Sequence, residues 1–442
     1  MASQEINTLV MSLGKARIPS PLTHAAGASR SKFITNDEGI LINIHSEELE
    51  YYLYEGKKPP YFELAGPREK VYFDPSKLRC ALVTCGGLCP GLNDIIRSIV
   101  LELYHLYGVR NIFGIRYGLE GFIAKYGHNI MDLSPTSVSN ILDMGGSILG
   151  SSRGPQDIDE IVDCLERLNI GILFMIGGDG TLNAAVKIVD TILERNLKIS
   201  VIGIPKTIDN DIYLVSRSFG FDTAVEVSTK AIIGAHNEAL GYPNGIGLIK
   251  LMGRYSGFIA ATATLAQEDV NFVLIPEVDF DLNGPDGFLS ALEARLASRG
   301  HAVVVVAEGA GQQYFENIAE DERDESGNIR LKDIGLFMKK AIAEHFNAKG
   351  INISLKYIDP SYMIRSLPAN ANDSVFCGFL ARNAVHAGMA GKTKLLIGSW
   401  NNHFVHVPME SSAGRRKKVN PDSELWIAVL AATGQGPLKN YR

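Results

Sequence analysis

The run Pro205-Lys206-Thr207-Ile208-Asp209-Asn210-Asp211 places two carboxylates, an amide, a hydroxyl and a cation within seven residues. It comes directly after an apolar stretch, 199–204. One carboxylate can take a proton from an attacking hydroxyl while the other helps arrange a metal's water shell, the division of labour that phosphoryl transfer needs. As a bare solvated turn the same run is a chance charge cluster, so its neighbours matter. Ile176-Gly177-Gly178-Asp179-Gly180-Thr181 closes another apolar run with an Asp on a glycine turn. A carboxylate there is expensive to bury unpaired, so it either holds Mg²⁺, directly or through water, or caps the next helix. Thr84-Cys85-Gly86-Gly87-Leu88-Cys89-Pro90-Gly91-Leu92-Asn93 is a third glycine-marked turn. Without Cβ atoms, backbone N–H groups approach a phosphate closely, and the next helix adds its N-terminal dipole. It is neither GxGxxG nor GxxxxGK[ST], which removes support from dehydrogenase and P-loop readings.

These turns need strands and helices to hold them. Apolar runs over 79–84, 111–115, 170–176 and 199–204 alternate with helical spacing over 93–104 and 182–195. A second series has a helix over 224–240 and strands over 247–251, 272–275 and 301–307. Short buried strands alternating with helices predict βα units, mainly parallel sheets and two α/β lobes with a cleft between them. Ligands of such sheets bind beyond the carboxyl ends of the strands, where the glycine turns fall. Residues 1–78 are polar and punctuated by Pro59-Pro60 and Gly66-Pro67, with an aromatic patch Tyr51-Tyr52-Leu53-Tyr54; they read as an extension packed on the surface of the α/β lobes. The charged, glycine-interrupted segment 312–330 reads as an exposed loop.

Composition bounds the rest. The chain of 442 residues has a formal charge of −6, which excludes a broad nucleic-acid surface but leaves room for a local basic pocket. No apolar run reaches the roughly 18 residues that span a bilayer, and the first residues carry no secretory pattern. The five cysteines include no CxxC pair, which points to reduced thiols and a cytoplasmic protein rather than a disulfide scaffold or zinc site. Cys85 and Cys89 read as small residues filling a tight turn rather than as reactive thiols.

Taken in order and spacing, GGxxPGxN, GGDGT, PKTIDND and Met252-Gly253-Arg254-Tyr255-Ser256-Gly257 resemble the phosphofructokinase family over roughly residues 65–410. The extension and the segment 65–75 look like those of the longer plant, protist and bacterial enzymes. The resemblance implies two Rossmann-like lobes around an active-site cleft: 79–220 with 364–410 for the phosphoryl donor, 221–363 with 411–442 for the sugar phosphate, and 1–78 as the extension. It implies phosphoryl transfer to the 1-hydroxyl of fructose 6-phosphate, with Mg²⁺ and a homodimer or homotetramer. Asp209 matches the general base, and Arg153, Thr207 and Lys206 complete the catalytic set. Gly86, Arg153, Gly178, Asp179, Gly180 and Thr181 match the ATP site, with Asp179 toward the metal. Thr207, Asp209, Asp211, Met252, Gly253, Arg254 and Glu308 match sugar-phosphate contacts. Lys356, Tyr362 and Arg365 take positions held by Arg, His and Arg in short bacterial enzymes, and Asn244-Gly245 stands where those enzymes send an Arg to a neighbouring subunit.

Two positions separate ATP from pyrophosphate as donor. An Asp after GGD accompanies pyrophosphate use, because it fills and repels the α-phosphate region; Gly180 leaves that space open. A Lys before TIDND is usual in pyrophosphate enzymes, and Lys206 is that residue. A carboxylate excludes a phosphate more firmly than a Lys selects against ATP, and the Gly-plus-Lys pairing resembles plant and trypanosomatid ATP enzymes, so ATP is expected and pyrophosphate is the alternative. An NAD kinase shares GGDGT but not PKTIDND or the MGRYSG segment. A non-catalytic sugar-phosphate sensor would be expected to have lost Asp179, Asp209 or Asp211, all of which are present.

Overall fold

A computed structural model describes residues 6–23, 32–315 and 330–440. The chain divides into two compact units: 1–207 with 212–220 and 367–415, and 208–211 with 221–366 and 416–442.

The first unit is built on a nine-stranded sheet. Its middle is five parallel strands in the order Leu395–Trp400, Ser200–Pro205, Ile172–Gly177, Arg79–Thr84 and Asn111–Ile115. Buried throughout, Ile172–Gly177 and Ser200–Pro205 read as unbroken apolar runs because helices cover both sheet faces. Beyond Leu395–Trp400 the sheet turns antiparallel: His403–Pro408, then Tyr61–Leu64 and Gly39–Leu41. Two strands of the extension are thus hydrogen-bonded into the sheet. The aromatic patch lies on the helix Ser46–Tyr54, which buries none of its residues.

The helices fall near their expected places, Leu92–Leu101 and Asp179–Glu194 among them. The first continues as a π-helical stretch, Glu102–Tyr107, stopped by Gly108 at φ 75°. All five cysteines are buried and free. Burial pushes the Cys85 thiol up to about 12, the opposite of what a reactive cysteine needs. At Gly91, φ is +99° and a Cβ would come 2.6 Å from Cys377 Sγ, so sulfur and glycine fill this turn together.

The second unit has one four-stranded parallel sheet in the order Phe272–Leu274, His301–Ala307, Gly245–Leu251 and Ser354–Ile358. Its core packs Ile246, Leu248, Val304 and Val306 against Leu292, Leu296, Met338 and Ile342 from the helices Phe288–Arg299 and Ile334–Ala348. The helix Phe221–Leu240 packs on Gly245–Leu251. Of the predicted loop 312–330, Gln312–Tyr314 is a 3₁₀ turn, and residues 316–329 lie outside the described chain.

Candidate active site

The first unit carries the glycine turns. Strand Arg79–Thr84 has neighbours on both sides, and the chain leaves it in one direction to Asn111–Ile115 and later in the other to Ile172–Gly177. Its carboxyl end is therefore a switch point, where open α/β sheets place their ligands. Gly86 sits there at φ +81°. Its N–H donates to Ser152 O at 3.1 Å, and Ser151 Oγ donates to Gly86 O at 2.6 Å. Thr84 Oγ1 donates to Gly150 O at 2.6 Å. These bonds lay the loop Gly150-Ser151-Ser152-Arg153 along the glycine turn and leave the Arg153 side chain exposed.

On the adjoining strand, Gly178 is the N-cap and Asp179 the first residue of the helix Asp179–Glu194. The N-cap position is thus held by a glycine, which has no side chain to cap the helix, and Asp179 stands one residue inside it. Its Oδ1 instead accepts from Gly414 N at 2.8 Å. A carboxylate at this point is stabilised by the helix dipole. Thr181 is buried, and a Cβ on Gly180 would meet nothing within 4 Å.

Lys206 is 6% exposed. Its N–H donates to Gly177 O at 3.0 Å and its Nζ to Gly87 O at 2.6 Å, so one residue ties two glycine turns together. Thr207 O accepts from Ser218 Oγ at 2.7 Å.

Within the second unit, residues 208–211 meet the carboxyl ends of the sheet. Ser256 Oγ donates to Asp209 O at 3.2 Å. Burial, together with the negative Asp211 and Glu308, pushes the Asp209 carboxyl up to about 8, against the opposing pull of Arg365 and Arg416. Glu308 comes directly after strand His301–Ala307, with its N–H on Leu251 O at 2.9 Å. Gly309 N donates to Gly253 O at 3.1 Å, which joins the Met252-Gly253-Arg254 turn to Glu308. Gly253 has φ +140°, and a Cβ there would come 2.6 Å from Ser256 O, so this turn requires glycine. Burial raises the Glu308 carboxyl, and Arg254 and Lys250 counter it. Lys356 lies in strand Ser354–Ile358 with its Nζ 4.8 Å from the Tyr242 ring centre. Tyr362 is exposed on the 3₁₀ turn Ser361–Ile364, and the Arg365 guanidinium lies 4.8 Å from its ring centre.

Asp209, Asp211, Arg254, Glu308 and Arg365 are thus gathered in one unit, and Gly86, Arg153, Gly178, Asp179, Gly180, Thr181, Lys206 and Thr207 belong to the other. The basic run Arg415-Arg416-Lys417-Lys418 joins this chemistry without having been singled out from the sequence. Arg416 NH1 donates to Asp211 Oδ2 at 3.0 Å, and its guanidinium lies 4.2 Å from the Tyr255 ring centre. Lys417 N donates to Asp211 O at 2.8 Å, and burial pushes its ammonium down to about 8 against the pull of Asp211. Four consecutive cations were the available signal, but a charge run is usually a solvated face.

Comparison with known proteins gives these turns a family. The phosphofructokinase pattern matches residues 79–388. The chain belongs to the phosphofructokinase family. It is 50% identical over 440 residues to the ATP-dependent 6-phosphofructokinase of Borreliella burgdorferi, covering 98% of both chains. It is 46% identical over 382 residues to ATP-dependent 6-phosphofructokinase 7 of Arabidopsis thaliana, covering 86% of this chain and 78% of that one. Among solved structures, the pyrophosphate-dependent phosphofructokinase of Marinobacter aquaeolei superposes with a TM-score of 0.65 at 19% identity, covering 81% of this chain and 92% of that one. The Saccharomyces cerevisiae phosphofructokinase gives 0.61 at 22% identity, covering 76% of this chain and 45% of that one. At such identities the structures establish the shared fold and say nothing about the donor.

Proposed function

We propose that the chain transfers a phosphoryl group from Mg-ATP to the 1-hydroxyl of fructose 6-phosphate, giving fructose 1,6-bisphosphate. The observation that carries this reading is the setting of Asp209: a carboxylate held beside Asp211, Glu308, Arg365 and Arg416, with its affinity for a proton raised into the range a general base needs. Asp209 takes the proton of the 1-hydroxyl as that oxygen attacks. Arg254, Lys356, Tyr362 and Arg365 hold the sugar phosphate, with Met252, Gly253 and Glu308 shaping the sugar's side of the site. Gly86, Gly178 and Thr181 offer backbone and hydroxyl groups to the donor phosphates. Arg153 and Lys206 meet negative charge developing on the transferred group, and Thr207 orients it.

Mg²⁺ suits this donor set. Among the described residues no group of three or more His, Cys, Asp or Glu is placed to hold an ion. Mg²⁺ carried on phosphates needs only one or two carboxylates, and Asp179 supplies one beside the glycine turn. When bound, the ion would neutralise charge on the phosphates.

For the donor, the open space at Gly180 favours ATP. The relatives named as ATP-dependent enzymes, one of them 50% identical, point the same way. Lys206 fits either donor, because its bond to Gly87 O gives it a place in the glycine turn whichever phosphate is bound. Buried free thiols in all five positions accord with a cytoplasmic enzyme, and a homodimer or homotetramer is the expected assembly. Among the described residues no helix is long and apolar enough to cross a membrane.

The test is turnover of fructose 6-phosphate with Mg-ATP and with Mg-pyrophosphate, for the purified protein and for Asp209→Ala. Expected are turnover with ATP, little with pyrophosphate, and a loss of about 10²- to 10⁴-fold in the variant with sugar-phosphate binding retained. Near-normal turnover by Asp209→Ala would remove the base assignment. A preference for pyrophosphate would reverse the donor.

A further inference from the structure

Strands Gly245–Leu251 and Ser354–Ile358 pair in parallel up to Ile249↔Ile358. One step further along both chains stand Lys250 and Asp359. Here the ladder gives way to an ion pair, Lys250 Nζ to Asp359 Oδ2 at 2.9 Å. The same Nζ reaches Asp333 Oδ2 at 3.0 Å. Asp333 is itself fixed, because its Oδ1 accepts Leu336 N at 3.1 Å and so caps the helix Ile334–Ala348. The Lys250 side chain is only 15% exposed, which makes this a partly buried bridge rather than a surface contact.

Immediately after Asp359 comes the turn assigned above to the sugar phosphate. Ser361 sits at φ 41°, a backbone conformation that a residue with a Cβ adopts only when its surroundings impose it. Met363 N donates to Pro360 O at 2.8 Å, and Ile364 is fully buried, while Tyr362 and Met363 face solvent. The turn is therefore pinned at its exit by Ile364 and at its entrance by the Lys250–Asp359 pair. Two carboxylates already share the one ammonium, so the cluster as a whole is negative and Lys250 is held within it rather than presented to a phosphate.

We propose that Lys250 is a positioning residue for substrate: it anchors Asp359 against Asp333 and thereby sets the turn that presents Tyr362 and Arg365 to the sugar phosphate. The inference rests on the assignment of that turn to fructose 6-phosphate. Breaking the anchor loosens the turn without touching the donor side.

The test compares steady-state kinetics of Lys250→Met, Lys250→Arg, Asp359→Asn, the double variant Lys250→Met/Asp359→Asn, and Arg365→Met. Lys250→Met is expected to raise KM for fructose 6-phosphate by about tenfold or more, the scale of one lost charged hydrogen bond. Its kcat and KM for ATP should stay within about threefold of the starting values. Lys250→Arg should recover part of the loss. The double variant should be no worse than the more damaged single one, because both substitutions break one link. An unchanged KM for fructose 6-phosphate in Lys250→Met, or additive losses in the double variant, would overturn the proposal. If Lys250→Met does not fold, Asp359→Asn decides alone by the same KM-against-kcat split. Arg365→Met separates the two layers of the argument. If it raises KM while Lys250→Met does not, the positioning role fails by itself; if neither does, the assignment of the turn fails and takes the positioning role with it.

Discussion

At the residue scale, Asp209 has to be ionised to accept a proton, yet its surroundings favour the protonated form. Because its carboxyl is raised to about 8, kcat/KM should climb as pH rises toward that value and the base form fills. Each charge that acts on it moves this acid limb in a known direction. Arg416→Gln removes a positive charge that favours the carboxylate, so the limb moves to higher pH. Asp211→Asn removes the larger negative influence, so the limb moves to lower pH. A pH–rate profile of the three proteins checks the order, and a shift of both variants in one direction would break the account. Gly180 carries the second residue-scale prediction. With no atom within 4 Å of a Cβ and no positive φ at this position, Gly180→Asp costs the fold little, and an added carboxylate in the first helical turn is favourable there. The same carboxylate should lower kcat/KM for ATP by about 10²-fold, an effect separable from stability by following thermal melting alongside activity.

At the scale of elements, the extension's attachment to the sheet depends on one buried carboxylate. Glu63, on strand Tyr61–Leu64, accepts from Arg68 NH2 at 2.7 Å, Lys392 Nζ at 2.8 Å and His406 Nδ1 at 3.1 Å. Burial alone would raise its pKa, but His406 and Lys392 outweigh that and hold it at about 2. Glu63→Gln leaves two buried cations without their counter-charge and should cost about 3–5 kcal/mol of stability. The folded pKa lies below the ordinary 4.5, so this stabilisation is complete above about 4.5 and is lost as pH falls through about 2. The stability gap between the two proteins should therefore narrow across that window; a gap constant with acidification would mean that packing, not charge, holds the strand. None of this was legible in the sequence, where Glu63 stands 329 residues before Lys392 and 343 before His406. Most parallel strands were legible, because a strand buried on both faces is an apolar run; Leu395–Trp400 and the half-buried Ser354–Ile358 were not. The antiparallel strand His403–Pro408 was not, since its histidines interrupt that signal while pairing in space. The same limit hid Arg416 beside Asp211 and Lys250 beside Asp359. Local spacing reveals turns that do chemistry and is silent on the ion pairs, formed across long loops, that hold those turns in place.

At the scale of the whole molecule, the two units divide the proposed labour, and that division predicts where each substrate should be felt. The donor residues all belong to the unit formed by 1–207, 212–220 and 367–415, and the sugar-phosphate residues, Thr207 apart, to the unit formed by 208–211, 221–366 and 416–442. A ligand that binds only the folded state stabilises what it touches, by about 2.7 kcal/mol when present at a hundred times its dissociation constant. Amide hydrogen exchange resolves that stabilisation along the chain. An ATP analogue alone should slow exchange in the turns around Gly86, Gly150 and Gly178, with the start of the helix Asp179–Glu194 protected most, because the first turn of a helix directs its N–H groups toward a bound anion. Fructose 6-phosphate alone should slow exchange around Met252, Glu308 and the turn Ser361–Ile364, and should leave the glycine turns of the first unit nearly unchanged. In Lys250→Met the turn should exchange faster than in the starting protein before any ligand is added, and a higher sugar-phosphate concentration should be needed to slow it. Protection by fructose 6-phosphate confined to the first unit would reverse the division of labour, whatever the turnover assay reports.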